Sequence, residues 1–169
     1  QQAGIGGFGT TLDGYMLPKD LKGFFQQGLQ NQTPILTGWV TGDGSFLGNQ
    51  ATTVEAYEKD AQKYGTQAAN FLSLFPATNP EQVKEQQQKL TLLGFAGLPA
   101  HLLARYNPQN SYLYEFAHVP TDKPGFPNYG AFHTSDVPYA LHTLHTWNRQ
   151  WKPIDLELEN TISSYWVNF

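Results

Sequence analysis

The sequence predicts an α/β protein in which helices cover a mostly parallel sheet. Three observations carry that prediction. Residues 34–40 and 111–119 read as two short strands. A long, mainly helical excursion separates them. A further segment of helical spacing, residues 154–169, follows the second strand. No repeat, low-complexity tract or linker divides the chain, so residues 1–169 are read as part of one domain with no internal boundary.

The elements follow in order. The opening "GIGGFG" places Gly4, Gly6 and Gly9 in a G-x-G-x-x-G pattern. No strand precedes it and no helix follows, so the dinucleotide-binding context is missing and a loop is expected. "LPKDLKGFFQQGLQ", residues 17–30, reads as a short helix opened by Pro18, with Leu21, Phe24, Phe25 and Leu29 roughly on one face. "PILTGWV", residues 34–40, is a mostly apolar run bounded by turn residues, the pattern of a buried parallel strand. It ends at Gly42-Asp43-Gly44, a turn with an acid at its tip. Residues 53–75 read as helical with a break near Gly65. Asn79, Pro80 and Gln82 supply the N-cap, the N1 proline and the N3 partner of a capping box for the next helix. Gly94 and Gly97-Leu-Pro99 interrupt that pattern, and 99–105 adds another helical turn. "SYLYEFAHV", residues 111–119, is aromatic-rich and alternating, as a strand is. A Pro/Gly-rich loop then delivers the chain to His133, ahead of a helix-like stretch. In the last segment Leu158, Ile162, Tyr165, Trp166 and Phe169 recur at helical spacing.

Composition narrows the function. Hydrophobic residues are 40% and aromatics 14% of the 169 residues, enough for a packed core. The net charge of −4, with both signs scattered, argues against a nucleic-acid groove, which needs a basic stripe. The longest apolar runs fall far short of the roughly 20 residues of a membrane span. Cysteine is absent, which excludes disulfides, cysteine nucleophiles and thiolate metal sites. There is no initiating Met, no visible signal peptide and no C-cap after Phe169. The expectation is a piece of a longer protein, incomplete as a fold on its own.

Two groups occupy comparable positions. Asp43 follows one strand on a Gly-flanked turn, and His133 lies on a loop after the other. In open α/β sheets, functional groups gather outside the carboxyl ends of strands. An acid before a histidine in chain order suits the Ser…Asp/Glu…His triad of α/β-hydrolases. Plainer uses exist: Asp-Gly turns are common local structures, and loop histidines are often structural. Ser135 is no nucleophile candidate, because it lacks a strand-to-helix elbow. His142 and His145 are spaced i, i+3, but no carboxylate-rich segment accompanies them, so no metal site is expected. His101 and His118 read as structural. Phe46 and Leu47, just past the acid turn, could pack in the core or approach a substrate pocket.

At these residues the sequence resembles the type-B carboxylesterases, the family that includes the cholinesterases. The resemblance runs from about Thr10 to Phe169. "TTLDGYMLP" is similar to the family's Asp-Gly…Leu-Pro segment, and "PILTGWVTGDGSFLG" to the segment ending in an acid-Gly turn. "SYLYEFAHVP" is similar to the strand before the histidine, and "GAFHTSDVPYAL" to the histidine motif, with Gly130, Phe132, His133, Pro138 and Tyr139 in place. "SSYWVNF" is similar to a helix near the family's C-terminus. The resemblance implies the C-terminal part of an α/β-hydrolase fold, with His133 as catalytic histidine and Asp43 as triad acid. It departs from the family where Gly42-Asp43-Gly44 replaces the common Asp-Glu-Gly, which makes the acid one methylene shorter. Asp136 stands where a supporting Glu is usual.

No G-x-S-x-G occurs in the 169 residues. The resemblance therefore implies that the serine and the oxyanion loop belong to an N-terminal portion of the same protein, and that this chain alone is inactive. The implied partner is a small-molecule ester, with no metal or organic cofactor, no nucleic acid and no membrane span. A secreted or periplasmic location is expected on the resemblance alone. The alternative is a non-catalytic binding or adhesion domain, as in cholinesterase-like adhesion proteins.

Overall fold

Two parallel strands organise the chain. β1, Ile35–Val40, runs beside β2, Ser111–Phe116, in a register that places Ile35 opposite Ser111 and Val40 opposite Phe116. The computed structural model describes residues 11–17, 20–47 and 51–169; the "GIGGFG" segment and Pro18 lie outside the described residues. The α/β reading holds at this level: a small parallel sheet with helices. The expectation of a fully buried β1 does not. Only Val40 is buried, and the five residues before it are half-buried. The described sheet has two strands, so each keeps an unpaired edge and a partly uncovered face. β2 also stops at Phe116 rather than 119. Its last rung is Thr41 N–H donating to the Phe116 carbonyl, after which the chain turns away through Pro120, which has no N–H to donate.

The core sits at the carboxyl ends of the strands. Val40, Phe116, Ala131, Tyr139 and Leu144 are buried together, with Tyr114, Trp151, Leu158 and Ile162 packed against them. A second cluster, centred on Ala51, Tyr57 and Val83, lies under the helices of the excursion.

α1 spans only Leu21–Gln26, shorter than the expected 17–30. The Asp20 carboxylate caps its start by accepting from Gly23 N–H at 2.9 Å. The chain turns left-handed at Gly28 (φ 67°), and the Gly28 and Leu29 N–H groups bond back to the Phe25 and Phe24 carbonyls. That closure ends the helix and leaves Leu29 exposed.

Beyond β1, α2 (Val54–Ala61), a 3-10 run (Gln62–Gln67) and α3 (Ala68–Leu74) follow, with the expected break at Gly65 (φ 57°, ψ −125°). α4, Pro80–Leu92, is capped by the Asn79 side chain, which accepts from Gln82 N–H at 2.9 Å. The other half of the capping box is displaced by one residue. The Gln82 side-chain oxygen accepts from Thr78 N–H (2.7 Å) and Thr78 Oγ1 (2.8 Å) instead of from Asn79. Where an interruption is expected, the helix continues through a π turn, Leu93–Gly97, directly into α5, Leu98–Tyr106. Leu98 N–H bonds the Leu93 carbonyl five residues back. The wide turn carries the chain past Pro99, which cannot donate.

After β2, a long loop leads to the short α6 (Val137–Ala140), a 3-10 turn (Leu144–Thr146) and α7 (Pro153–Asn168). Leu158 and Ile162 of α7 face the core as expected, while Tyr165 and Phe169 are exposed. Two carboxylates, Asp155 and Glu159, are buried on the same helix. An apolar groove of about 490 Å³ runs along β2 and the end of α7, lined by Leu36, Tyr112, Ile162, Trp166 and Phe169 among others. Among the described residues, no helix is long and apolar enough to cross a membrane.

Candidate active site

The site begins where β1 ends. Past Val40 the chain folds into a tight turn, with Asp43 N–H donating to the Val40 carbonyl at 2.9 Å. The Asp43 side chain returns to the strand, its Oδ2 accepting from Val40 N–H at 2.9 Å. Gly42 then makes an isolated parallel bridge with Phe132, and Gly42 N–H donates to the Ala131 carbonyl at 2.8 Å. The approach leaves no room for a side chain. A Cβ on Gly42 would lie 2.2 Å from the Ala131 oxygen.

This bridge sets His133 beside Asp43. The His133 Nδ1 lies 2.5 Å from Asp43 Oδ1, across 90 residues of sequence. The two sequence-derived candidates are thus in direct contact. The Asp43 side chain is 5% exposed and that of His133 47% exposed. When the carboxylate is ionised it only accepts, and the bond is then donated by Nδ1–H. The lone pair of the neutral ring is then on Nε2, which can accept a proton. The residue after His133 is Thr134, held at φ 70°. A β-branched side chain is costly there, and such strain concentrates where a side chain must be aimed. Ser135 N–H donating to the Phe132 carbonyl at 2.9 Å closes this turn.

Two phenyl rings flank the imidazole. Phe46 lies 5.9 Å from it between ring centres. Phe95 lies at 5.1 Å, nearly perpendicular, and the two phenyls meet edge to face at 5.5 Å. Of the two uses open to Phe46, the core is excluded by its exposure; it packs beside His133 instead. Leu47 is likewise exposed. Phe95 escaped the sequence reading, because it sits on the π turn where a helical break is expected. The clustering of Gly94, Gly97 and Pro99 around one aromatic was the available signal.

The neighbours are structural in placement. Ser135 is fully buried, and its hydroxyl has no hydrogen-bond partner among the described residues. Asp136 accepts from the Tyr114 hydroxyl at 2.8 Å and so ties the histidine loop to β2. Burial, and then the bond to Asp136, push the Tyr114 hydroxyl well above its ordinary pKa. Arg149 donates to the Thr121 carbonyl and lies over the rings of Phe132, Trp147 and Trp151, which holds Phe132 in place next to His133.

The remaining histidines lie elsewhere. His118 Nε2 is 2.8 Å from Asp155 Oδ1, and Asp155 also accepts from Thr121 (2.6 Å), Tyr139 (2.7 Å) and Lys152 N–H (2.9 Å). Burial pushes the Asp155 carboxyl up, but these hydrogen bonds outweigh it and hold the pKa at about 2. His142 donates from Nε2 to Asn160 Oδ1 at 3.0 Å, and its Nδ1 is 3.8 Å from Glu159. The Asn160 bond, then the Glu159 charge, raise its pKa. His101 and His145 are exposed. Among the described residues, no three His, Cys, Asp or Glu side chains are grouped to hold a metal ion.

A sequence profile described as the Carboxylesterase family matches residues 1–169. No curated protein matches the chain.

Proposed function

Because the chain belongs to the carboxylesterase family, we propose that it supplies the acid and the base of a serine ester hydrolase of the α/β-hydrolase fold. The observation that carries this reading is the 2.5 Å contact between His133 Nδ1 and the buried Asp43 carboxylate, made by an imidazole whose side chain is nearly half exposed and whose Nε2 is not used in that bond. In this mechanism Nε2 takes the proton of a serine hydroxyl as the serine oxygen attacks the ester carbonyl. Asp43 fixes the tautomer and stabilises the imidazolium that forms. His133 then returns the proton to the departing alkoxide. In the second half it takes a proton from water, which attacks the acyl-enzyme and releases the acid.

The serine and the oxyanion donors come from an N-terminal portion of the same protein, since no G-x-S-x-G occurs in this chain. The substrate class is a small-molecule carboxylic ester. The test is hydrolysis of p-nitrophenyl acetate and butyrate by the chain together with that portion. His133→Ala is expected to lower kcat by about 10⁴-fold or more, and Asp43→Ala by a large factor through loss of orientation. An inactive parent with no serine at the elbow would sink the hydrolase reading in favour of a binding or adhesion domain.

A further inference from the structure

The side chain of His133 is nearly half exposed, and one hydrogen bond from Nδ1 ties it to Asp43. A ring anchored at one nitrogen still has rotamers that swing it into solvent. Something else must hold it, and the contacts around it point to one residue. The Phe95 ring stands 5.1 Å from the imidazole at 88°, the edge-to-face arrangement that aromatic pairs favour. Phe46 meets both rings, at 5.9 and 5.5 Å, which closes a three-ring cluster beside the dyad.

Phe95 reaches this place because of the π turn. In a regular α-helix each residue advances about 100° around the axis, so the inserted residue of an i→i+5 turn rotates the remainder of the helix about that axis. The turn Leu93–Gly97 is packed against the acid turn itself. A Cβ built on Gly44 would meet Thr91 Cγ2 at 2.5 Å and Phe95 Cβ at 3.4 Å. The helix that bears Phe95 and the turn that bears Asp43 are thus in contact.

We propose that Phe95 is a positioning residue, aimed by the π turn Leu93–Gly97, that traps the His133 imidazole in the orientation bonded to Asp43. This rests on the acid–base reading of the pair. The ring touches no reacting atom. It narrows the imidazole's rotamers and shields the Nδ1–H···Oδ1 bond from water.

The test is proton NMR on the full chain, following the far-downfield Nδ1–H resonance of a histidine–carboxylate bond. The wild type shows it, and Asp43→Asn removes it. Phe95→Leu, which keeps an apolar side chain but no ring, broadens it into solvent exchange. Phe95→Tyr restores it, and thermal unfolding shows that both variants stay folded. With the N-terminal portion present, Phe95→Leu lowers kcat on p-nitrophenyl acetate by about 10- to 100-fold with KM unchanged, and Phe95→Tyr recovers it. A sharp resonance and full kcat in Phe95→Leu overturn the inference alone. Loss in both Phe95 variants overturns it too, since the ring would not be what matters. A resonance that survives Asp43→Asn overturns the acid–base pairing and this inference with it.

Discussion

Among the described residues two histidines are hydrogen-bonded to a carboxylate, and the surroundings of the two pairs set them apart. Asp155 is 1% exposed and accepts from His118, Thr121, Tyr139 and a backbone N–H, so both its oxygens are saturated. That carboxylate joins the loop after β2, α6 and the start of α7. Among the described residues Asp43 accepts from one backbone N–H and from His133, whose side chain is 47% exposed. The first arrangement is a fastening and the second leaves a proton acceptor available. The fastening has a pH signature. Its folded-state pKa of about 2 lies below the ordinary 3.8, so the stabilisation is present above 3.8 and is lost as pH falls through 2. A shift of that size corresponds to on the order of 2 kcal/mol. Urea unfolding of the wild type between pH 5 and about pH 2 should lose this stabilisation progressively. Asp155→Asn should be less stable at pH 5 and lack that part of the pH dependence.

The turns, more than the helices and strands, place the candidate groups. Gly42 shows this most directly, because its bare backbone lets Phe132 come alongside. Gly42→Ala puts a methyl 2.2 Å from the Ala131 oxygen and must push the histidine loop away. It is expected to destabilise the chain by roughly 2–4 kcal/mol. In the assembled protein it should also depress ester hydrolysis, although neither Asp43 nor His133 is touched. Normal activity in a folded Gly42→Ala variant would contradict this account of the bridge. Such turns also mark what the sequence makes legible. Acid and histidine after two strands are readable, because strand patterns and turn residues are local signals. The Asn79 cap is readable for the same reason. The early end of α1 is not, because Leu29 keeps the helical spacing while Gly28 has already left the helix. The π turn is not readable either. Gly and Pro signal a break, but whether the chain breaks or widens depends on the packing of Thr91 and Phe95 against Gly44.

At the scale of the whole molecule, the parallel pairing of β1 and β2 forces the entire helical excursion to lie between Asp43 and the second strand. No local fragment holds both candidate groups. The downfield histidine resonance should therefore vanish at the same urea concentration as the far-UV circular dichroism signal. Earlier loss would mean that the site opens by itself. The distances along the chain also have a consequence for how the pair forms. Bringing together two points 90 residues apart costs roughly 4 kcal/mol of chain entropy when done freely. In this fold Asp43 lies just beyond Val40, and the Gly42–Phe132 bridge extends the same parallel alignment. Once the strands have zipped, what remains to be closed on Asp43 is the loop from Phe116 to His133. The pair is then a passenger of the sheet: the search for strand register covers most of the separation, and one loop closure at the Gly42–Phe132 bridge completes it.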